Sequence, residues 1–427
     1  MQARDRSVHH DCMSRLKRYR ELMLSLDPSA EPLIAVKNGW GVDRPASAIA
    51  EKIAQRLELE PWSFHLLIGG IGSGKTTELQ RLRLRLRQAS EESGDVTQYL
   101  DVAKWTRLDR LGPGVLVSIV GMRLAELETK LRTARGGGQR PTVVADARLA
   151  VQRLARGYAY AASVEDDEDE DEDHDGDHDE DPVELIEVPG VLDPPERPIE
   201  QRVAEVIGPL RTLRSAITQG DGHCVFLIDS LDRAPEFGDL ERALSDDIRA
   251  LKRAGLGGAV VAPLRLRYRA PPSFTELFEH NVHSLAEVEP AGPGLDFLVE
   301  VLSRRTKAEM VPQESRIELA RASGGVLRDL ISLAKTAAQE AYVGGADHID
   351  IDHVLRAVDH HGRTLAVGLD GEQIKILKAV RERGTMVIRG ERELVLLETR
   401  RVLDYGNGRF GVHPTLVRLL DLMTVAA

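Results

Sequence analysis

The sequence is poor in cysteine, with only Cys12 and Cys224 among its 427 residues. Two cysteines are too few for a disulfide framework or for a cysteine-based zinc site. Long apolar runs are also missing: none approaches the roughly 18 residues that a membrane-spanning helix needs. The N-terminal segment has no apolar core of the secretory-signal type. We therefore expect a cytosolic (cytoplasmic) protein without a membrane partner.

Aromatic residues make up only 4% of the chain, whereas hydrophobic residues make up 42%. The chain therefore has enough apolar material for a core, which must be built mainly from leucine, valine, isoleucine and alanine. At about 150 residues per domain, the length corresponds to two or three domains.

The excess of negative charge is confined to one segment. The formal net charge is −12, but the run 165–181 alone contains fourteen carboxylates. The remaining 55 acidic residues nearly balance the 57 basic ones, so a basic nucleic-acid-binding surface is not indicated. Because like charges repel each other, we expect this run to be the disordered centre of an insertion spanning about 135–197. With His174 and His178 it is interpreted as a solvated loop; a weak metal site, docking on a basic partner and mimicry of nucleic acid are the alternatives.

Short apolar strands alternate with helical segments in the first two thirds of the chain, which predicts βαβ units and a mainly parallel sheet. The segment Thr76–Gln88 contains leucine and arginine in alternation, a pattern that alone would indicate a strand. The glycine-rich loop before it requires a helix, and both residue types are good helix formers. Later segments are all helical, and the final one ends with a hairpin turning at Asn407-Gly408. The predicted domains are an N-terminal helical segment (1–40), an α/β core (41–290), a helical lid (291–365) and a winged-helix domain (366–427).

The strongest functional signal follows the apolar strand Phe64–Ile68. The residues from Gly69 to Thr76 fit the pattern G-x-x-x-x-G-K-[ST] between a strand and a helix, which is the context of a phosphate-binding loop. Glycines let backbone amides wrap a phosphate, and the helix N-terminus adds its positive dipole end. We expect Lys75 to contact the β- and γ-phosphates of ATP, Thr76 to ligate Mg²⁺ and Thr77 to lie near the α-phosphate. The predicted nucleotide-binding residues are Gly69, Gly70, Ile71, Gly72, Ser73, Gly74, Lys75, Thr76 and Thr77.

A second apolar strand, Val225–Ile228, ends in the carboxylate of Asp229. At the carboxyl end of a parallel sheet, this carboxylate would hold Mg²⁺ together with the threonine of the loop. Ser230 occupies the next position, where many ATPases carry a glutamate that polarises water. The nearest spare carboxylate is Asp232, which we predict to be the general base. The alternative is that Asp232 pairs with Arg233 or caps the next segment.

With these motifs the chain resembles the P-loop NTPases of the AAA+ and STAND group over roughly residues 40–427. IGGIGSGKTTEL and VFLIDSLDR are similar to their Walker A and Walker B motifs. SGGVLRDL, residues 323–330, is similar to the Gly-Gly-x-x-Arg element of an AAA+ lid, also found in archaeal origin-recognition initiator ATPases. The resemblance implies a three-layer α/β core, a helical lid and a winged helix, with Arg328 as the sensor-2 arginine that reaches the γ-phosphate. Two features depart from the family: the strand Val260–Pro263 ends without a polar sensor-1 residue, and the glutamate adjacent to Asp229 is missing.

Two further groups of residues have competing interpretations. Arg265, Arg267 and Arg269 alternate with apolar residues, so one hypothesis makes one of them an arginine finger toward a neighbouring subunit. The alternative is exposed arginines on an extension at the sheet edge. His360 and His361 are neighbours at a helix end and point to different helix faces, so we interpret them as solvated histidines and not as a metal site.

The winged-helix segment raises the question of DNA binding. Its presumed recognition helix, Glu391–Glu398, carries three glutamates, and residues 370–427 contain ten basic and eight acidic residues. This balance favours an intramolecular or protein-contact role, whereas Arg400, Arg401 and Arg409 keep DNA binding open.

These features lead to two main hypotheses. In the first, Mg-ATP between core and lid drives opening or oligomerisation, and the chain is a STAND-type ATPase switch in prokaryotic defence or signalling, with self-association or a protein partner. In the second, the chain is an ATP-dependent DNA-binding protein of initiator or transposition-regulator type. The missing glutamate predicts slow or partner-stimulated turnover, and a scaffold that holds ATP without turnover is a third alternative.

Overall fold

The computed structural model describes residues 15–28, 39–45, 49–156, 199–218, 222–234 and 237–423. The strands are β1 (Phe64–Gly69), β2 (Val96–Asp101), β3 (Cys224–Asp229), β4 (Gly257–Pro263), β5 (Val282–Leu285), β6 (Val402–Gly406) and β7 (Arg409–Val412). The α-helices are α1 (15–25), α2 (Ile49–Leu59), α3 (Lys75–Ser93), α4 (Val115–Ala134), α5 (Thr142–Arg156), α6 (Ile199–Ile217), α7 (Phe237–Arg253), α8 (Arg265–Arg269), α9 (Pro272–Leu277), α10 (Pro293–Arg305), α11 (Gln313–Ala322), α12 (Leu327–Val343), α13 (Ile351–Ala366), α14 (Gly371–Arg383), α15 (Glu391–Glu398) and α16 (Pro414–Leu420).

Five strands form one parallel sheet in the order β2-β3-β4-β1-β5. The register pairs Gly69, the last residue of β1, with Leu285 on one side and Pro263 on the other. It also pairs Asp101 with Asp229 at the ends of β2 and β3. The carboxyl ends of parallel strands share one edge of a sheet, which is where ligands bind in such folds. The phosphate loop and Asp229 are therefore delivered to the same crevice.

Helices cover both faces of this sheet. β1 and β3 are buried along their whole length, as expected for strands covered on both faces. Phe64, Leu66 and Ile68 of β1 belong to a cluster with α4, α6 and α7. Leu67, which points to the opposite face, packs in a cluster with α2 and α3. The predicted three-layer α/β core with a parallel sheet is confirmed.

The ambiguous arginine–leucine segment is helical. Leu82 and Leu86, one helical turn apart, are buried, whereas Leu84 between them is exposed. This spacing is that of a helix face and not of a strand, so the helix predicted over Thr76–Gln88 is confirmed within α3.

Helices α10 to α13 form the lid, with a core of their own. The buried face of α12 is built largely from alanine, which allows its neighbours to approach closely. Tyr19 and Leu22 of α1 pack into the same cluster, so the N-terminal helix belongs to this part of the fold.

The C-terminal elements run helix, helix, hairpin, helix, which confirms the winged-helix prediction. The hairpin joins β6 and β7 in antiparallel register. Asn407 and Gly408 at its turn have φ angles of 53° and 75°, the left-handed backbone that favours this dipeptide in hairpin turns.

One sequence alternative in the core is wrong in detail. Residues Arg265–Arg269 form the short helix α8 and not an extension at the sheet edge. The last strand of the sheet, β5, ends at Leu285. In the insertion, residues Thr142–Arg156 form α5; the acidic run 165–181 lies outside the described residues. None of the helices that the structure describes combines the length and apolarity needed to cross a membrane.

Candidate functional site

The phosphate loop turns directly from β1 into α3. Gly72 and Gly74 have φ angles of 84° and 99°, which lie in the left-handed region where glycine is favoured. The amide groups of Lys75, Thr76 and Thr77 form the first turn of α3, where the intrahelical ladder provides no acceptor. Donors directed from such a loop and helix N-terminus are suited to an anion.

Lys75 is held inside the loop that it follows. Its side chain is nearly fully buried, and Nζ donates to the carbonyl oxygens of Gly69 (2.9 Å) and Gly70 (2.7 Å). Nζ also lies 2.9 Å from Oδ2 of Asp232. The structure thus brings together the predicted phosphate-binding ammonium and the predicted general base. Pairing of Asp232 with Arg233, the alternative from the sequence, is not what the structure shows.

Asp229 lies at the end of β3, beside the first turn of α3. One carboxylate oxygen accepts a hydrogen bond from the Tyr99 hydroxyl at 2.8 Å, and the other accepts from the Ser230 amide at 2.7 Å. Burial raises the pKa of Asp229, and hydrogen bonds from Tyr99, Ser230 and Thr76 oppose this rise. The predicted pair of magnesium ligands, Thr76 and Asp229, is therefore adjacent.

The residues after Asp229 explain how Asp232 reaches the loop. Ser230 is buried and has a φ angle of 72°, a left-handed conformation that is uncommon for a non-glycine residue. A single turn of 3₁₀ helix, Leu231–Arg233, follows it. Buried Leu231 anchors this turn, and the next residue, Asp232, points to Lys75.

The lid contacts the phosphate loop through the start of α12. A Cβ atom on Gly72 would lie 2.7 Å from Cβ of Arg328 and 3.2 Å from Val326, and one on Gly74 would lie 3.2 Å from Leu327. Glycine at these positions is therefore also required for lid packing. Arg328 is exposed, and within the described residues it has no hydrogen bond or ion pair. Burial lowers the pKa of Arg328, as do the charges of Arg400 and Arg233, whereas the Asp232 carboxylate opposes this shift.

The other side of the Gly-Gly-x-x-Arg element contacts the winged helix. A side chain on Gly324 would collide with Leu403 and Pro414. The Tyr405 hydroxyl donates to the Gly324 carbonyl at 3.1 Å. Gly325, with a φ angle of 90°, lies against the backbone of Val288. One short segment therefore touches the phosphate loop, the segment after β5 and the C-terminal domain.

Sequence reasoning missed two charged residues beside the loop. Arg44 donates to the backbone oxygens of Ser73 (3.0 Å) and Ala286 (2.6 Å) and so braces the loop against the segment after β5. Glu287 is buried, and its Oε1 would lie 2.8 Å from a Cβ on Gly70. Burial raises the pKa of Glu287 to about 7, although Arg44 and Lys75 lower it. Neither residue belongs to a local motif, so no sequence signal marked them.

The three alternating arginines all pair within the chain. Arg265 contacts Glu398 of α15 with two hydrogen bonds, of 2.7 and 2.6 Å, and also Glu391 at 2.6 Å. Arg267 lies 2.8 Å from Asp404 of β6. The third, Arg269, lies 3.6 Å from Glu391. The presumed recognition helix α15 is therefore docked on the core through two of its glutamates.

The basic residues near the wing are also engaged. Arg400, in left-handed backbone conformation, pairs with buried Asp329. Arg401 donates to the carbonyl oxygens of Leu365 and Val367, and Arg409 lies 2.7 Å from Glu289.

The residues at the loop fit Mg-ATP by their own chemistry. The Ser73 hydroxyl is buried and has no hydrogen-bond partner within the described residues. The exposed Ile71 side chain leaves the inner wall of the loop to backbone groups. Thr76 and Asp229 supply the hydroxyl and carboxylate oxygens that Mg²⁺ prefers.

No protein-family model matches the sequence, and no curated protein matches it. Several solved structures resemble the fold. Drosophila ORC bound to DNA has 15% identity and a TM-score of 0.42, with 85% of this chain and 72% of that chain covered. Aeropyrum pernix ORC1 in complex with DNA has 14% identity and a TM-score of 0.43, covering 89% and 93%. Aeropyrum pernix ORC2 in ADPNP and ADP complexes has 14% identity and a TM-score of 0.40, covering 88% and 91%.

Because these identities and TM-scores are low, the fold is assigned from the chain's own features. These features are the strand order, the loop between β1 and α3, the lid that contacts this loop and the winged helix docked behind the lid. They confirm the AAA+-like P-loop fold that the sequence resembled, whereas the STAND subgroup stays a prediction.

Proposed function

We propose that this protein is an Mg-ATP-binding ATPase whose lid and winged helix change position with the state of the nucleotide. The observation that carries the proposal is that one segment of the lid contacts both the phosphate loop and the winged helix. Arg328 packs on Gly72 of the phosphate loop, and the next residue, Asp329, pairs with Arg400 of the winged helix. A change at the terminal phosphate that moves Arg328 would therefore act one residue away from a contact with the C-terminal domain.

The chain's own groups would divide the work of binding. The first-turn amides of α3 and the Lys75 ammonium hold the phosphates, while Thr76 and Asp229 hold the metal. When bound, Mg²⁺ would neutralise part of the phosphate charge. Lys75 can turn from Asp232 to a terminal phosphate, because both are anionic partners within reach of one flexible side chain.

Asp232 is the carboxylate best placed to orient water. Its Oδ2 lies 2.9 Å from Nζ of Lys75, the group that we expect to contact the γ-phosphate, which supports this role. Since Ser230 cannot act as a base in place of the missing glutamate, hydrolysis would depend on Asp232. Slow turnover follows, because the base must first separate from the ammonium.

The contacts that the winged helix makes within the chain favour the nucleotide-dependent switch over DNA binding. Its recognition helix is held by Arg265, and the three wing arginines make contacts within the chain. A DNA-binding role would require these contacts to open, which makes DNA binding testable as a nucleotide-dependent event.

Hydrogen exchange of the full-length protein in Mg-ATP and in Mg-ADP tests the proposal. We expect the start of α12 and the β6–β7 hairpin to differ in protection between the two nucleotides. Lys75→Ala should abolish the difference, whereas the matched surface variant Lys130→Ala should retain it. Equal protection in both nucleotides would contradict the switch. Anisotropy of labelled duplex DNA at low salt, with and without ATP, tests the alternative: retained DNA only with ATP would favour the initiator-type function.

A further inference from the structure

Three metal-ligating side chains meet behind the lid, outside the phosphate site. Asp329 lies at the start of α12, His361 lies in α13, and His413 precedes α16. Nε2 of His413 is 3.4 Å from Oδ2 of Asp329, and Nε2 of His361 is 3.8 Å from the same oxygen. All three ligand atoms lie within 4.8 Å of one another. The sequence interpretation of His361 as a solvated histidine is therefore wrong, since its side chain is only 18% exposed.

The same three atoms are unsatisfied. Asp329 Oδ2, His361 Nε2 and His413 Nε2 are buried and have no hydrogen-bond partner within the described residues. Asp329 and His413 are 2% and 0% exposed. Buried polar atoms are normally paired, and three orphans that converge on one point require a common partner.

From this convergence we infer that Asp329, His361 and His413 form a binding site for a divalent transition metal ion of the Zn²⁺ type. Tetrahedral zinc with bonds of about 2.0–2.1 Å places its ligand atoms about 3.3 Å apart. The distances of 3.4 and 3.8 Å from Oδ2 of Asp329 exceed this spacing by about 0.1 and 0.5 Å. Two imidazoles and one carboxylate match the ligand types of zinc and leave a fourth position for water.

Neighbouring groups orient the side chains of His413 and Asp329 toward the site. Nδ1 of His413 lies 2.8 Å from the Thr415 hydroxyl and accepts a hydrogen bond from the Thr415 amide at 3.4 Å. These contacts hold the ring with Nε2 toward Asp329. Arg400 occupies Oδ1 and leaves Oδ2 facing the histidines.

The position of the three ligands indicates that a bound metal ion would join the lid to the winged helix. Two ligands belong to the lid and one to the winged helix, so a bound ion would tie these domains together next to Arg328. The packing there is already close, because a Cβ on Gly362 would collide with the Thr415 backbone. A metal would therefore stabilise the docked arrangement without a rearrangement of the backbone.

Metal analysis of the full-length protein tests the site. The protein is stripped with EDTA, incubated with Zn²⁺ and gel-filtered, and its zinc content is measured by mass spectrometry. We expect wild type and His360→Ala, an exposed neighbour on the same helix, to retain one equivalent more than His361→Ala. Any weak binding by the other histidines is common to all three proteins and cancels. Equal zinc content in His360→Ala and His361→Ala would overturn the proposal.

Two further measurements separate the metal site from structural damage and from nucleotide binding. Replacement of zinc by Co²⁺ should give the intense visible absorption of a tetrahedral site in wild type and none in Asp329→Asn or His361→Ala. Circular dichroism checks that the variants are folded. Because the His361 side chain is partly exposed and Asp329 is buried, we expect His361→Ala to disturb folding less than Asp329→Asn. Lys75→Ala should bind zinc normally, because the phosphate loop contributes no ligand. Absence of the cobalt spectrum in folded wild type would also overturn the proposal.

Discussion

Lys75 and Asp232 form an ion pair of 2.9 Å at the mouth of the phosphate loop. The pair joins the residue expected to bind the terminal phosphate with the residue expected to orient water. Its geometry depends on the left-handed backbone of Ser230, which turns the chain after β3 toward the loop. Loss of the Asp232 carboxylate should consequently slow ATP hydrolysis without weakening ATP binding.

Replacement of Asp232 by asparagine should separate the two activities. We expect phosphate release to fall by about 10²–10⁴-fold, the range for loss of a general base. ATP affinity should stay equal or rise, because Lys75 loses a competing anion. Malachite-green assays and calorimetry measure the two quantities, with the exposed Asp246→Asn as the matched control. Equal hydrolysis by Asp232→Asn and wild type would exclude Asp232 as the base.

Replacement of Arg328 by alanine tests the lid's contribution to catalysis. Arg328 has no partner within the described residues, so its removal should leave the free energy of unfolding nearly unchanged. The rate of hydrolysis should fall by about 10²-fold, as for loss of one donor to developing charge. The exposed Arg321→Ala in α11 is the control. A large loss of stability with unchanged hydrolysis would show that Arg328 is a structural residue.

Glu287 should make stability fall with rising pH. Its pKa is raised to about 7 in the folded protein, from an ordinary value of 4.5. Between these values the unfolded chain releases the proton before the folded chain does, so this group lowers the free energy of unfolding as pH rises from about 4.5 to 7.

Chemical denaturation of Glu287→Gln across this pH range measures the effect. We expect the variant to gain stability relative to wild type as the pH rises, since a neutral amide needs no ionisation. Glu289→Gln, which removes an exposed carboxylate two residues along, should track wild type. A stability difference that is constant with pH would contradict the raised pKa.

The contact between Arg265 and Glu398 should hold the winged helix on the core. Arg265→Glu would place a third carboxylate beside Glu398 and Glu391, and we expect faster proteolysis of the C-terminal domain. The double variant Arg265→Glu/Glu398→Arg should restore part of the protection. The coupling energy should be about 1 kcal/mol, because both side chains are about a quarter exposed. Arg249→Glu on the surface of α7 is the control; no change in proteolysis for Arg265→Glu would argue that the pair does not retain the domain.

The sequence predicted those parts of the site that are local in the chain. The phosphate loop directly follows β1, Thr76 lies in the first turn of the helix behind the loop, and Asp229 is the last residue of β3. Because these strands are parallel, their carboxyl ends lie at one edge of the sheet. The helix after the loop was predictable despite its alternating pattern, because a glycine loop of this type needs a helix N-terminus behind it.

What the sequence could not supply depends on contacts between distant segments. Arg44 donates to the carbonyl oxygen of Ala286, which lies 242 residues further along the chain. Glu287 is recognisable only through its burial beside Gly70. His361 appeared solvated because its helix neighbours were the only partners that the sequence revealed. Its position opposite His413 depends on how the winged helix docks on the lid.

The most direct test of the whole account is calorimetric titration of the full-length protein with ATP in the presence of Mg²⁺. We predict saturable binding to wild type and to Lys130→Ala, and loss of binding in Lys75→Ala, whose ammonium is replaced by a methyl group. Absence of binding to wild type, or undiminished binding to Lys75→Ala, would contradict the assignment of this loop as the nucleotide site.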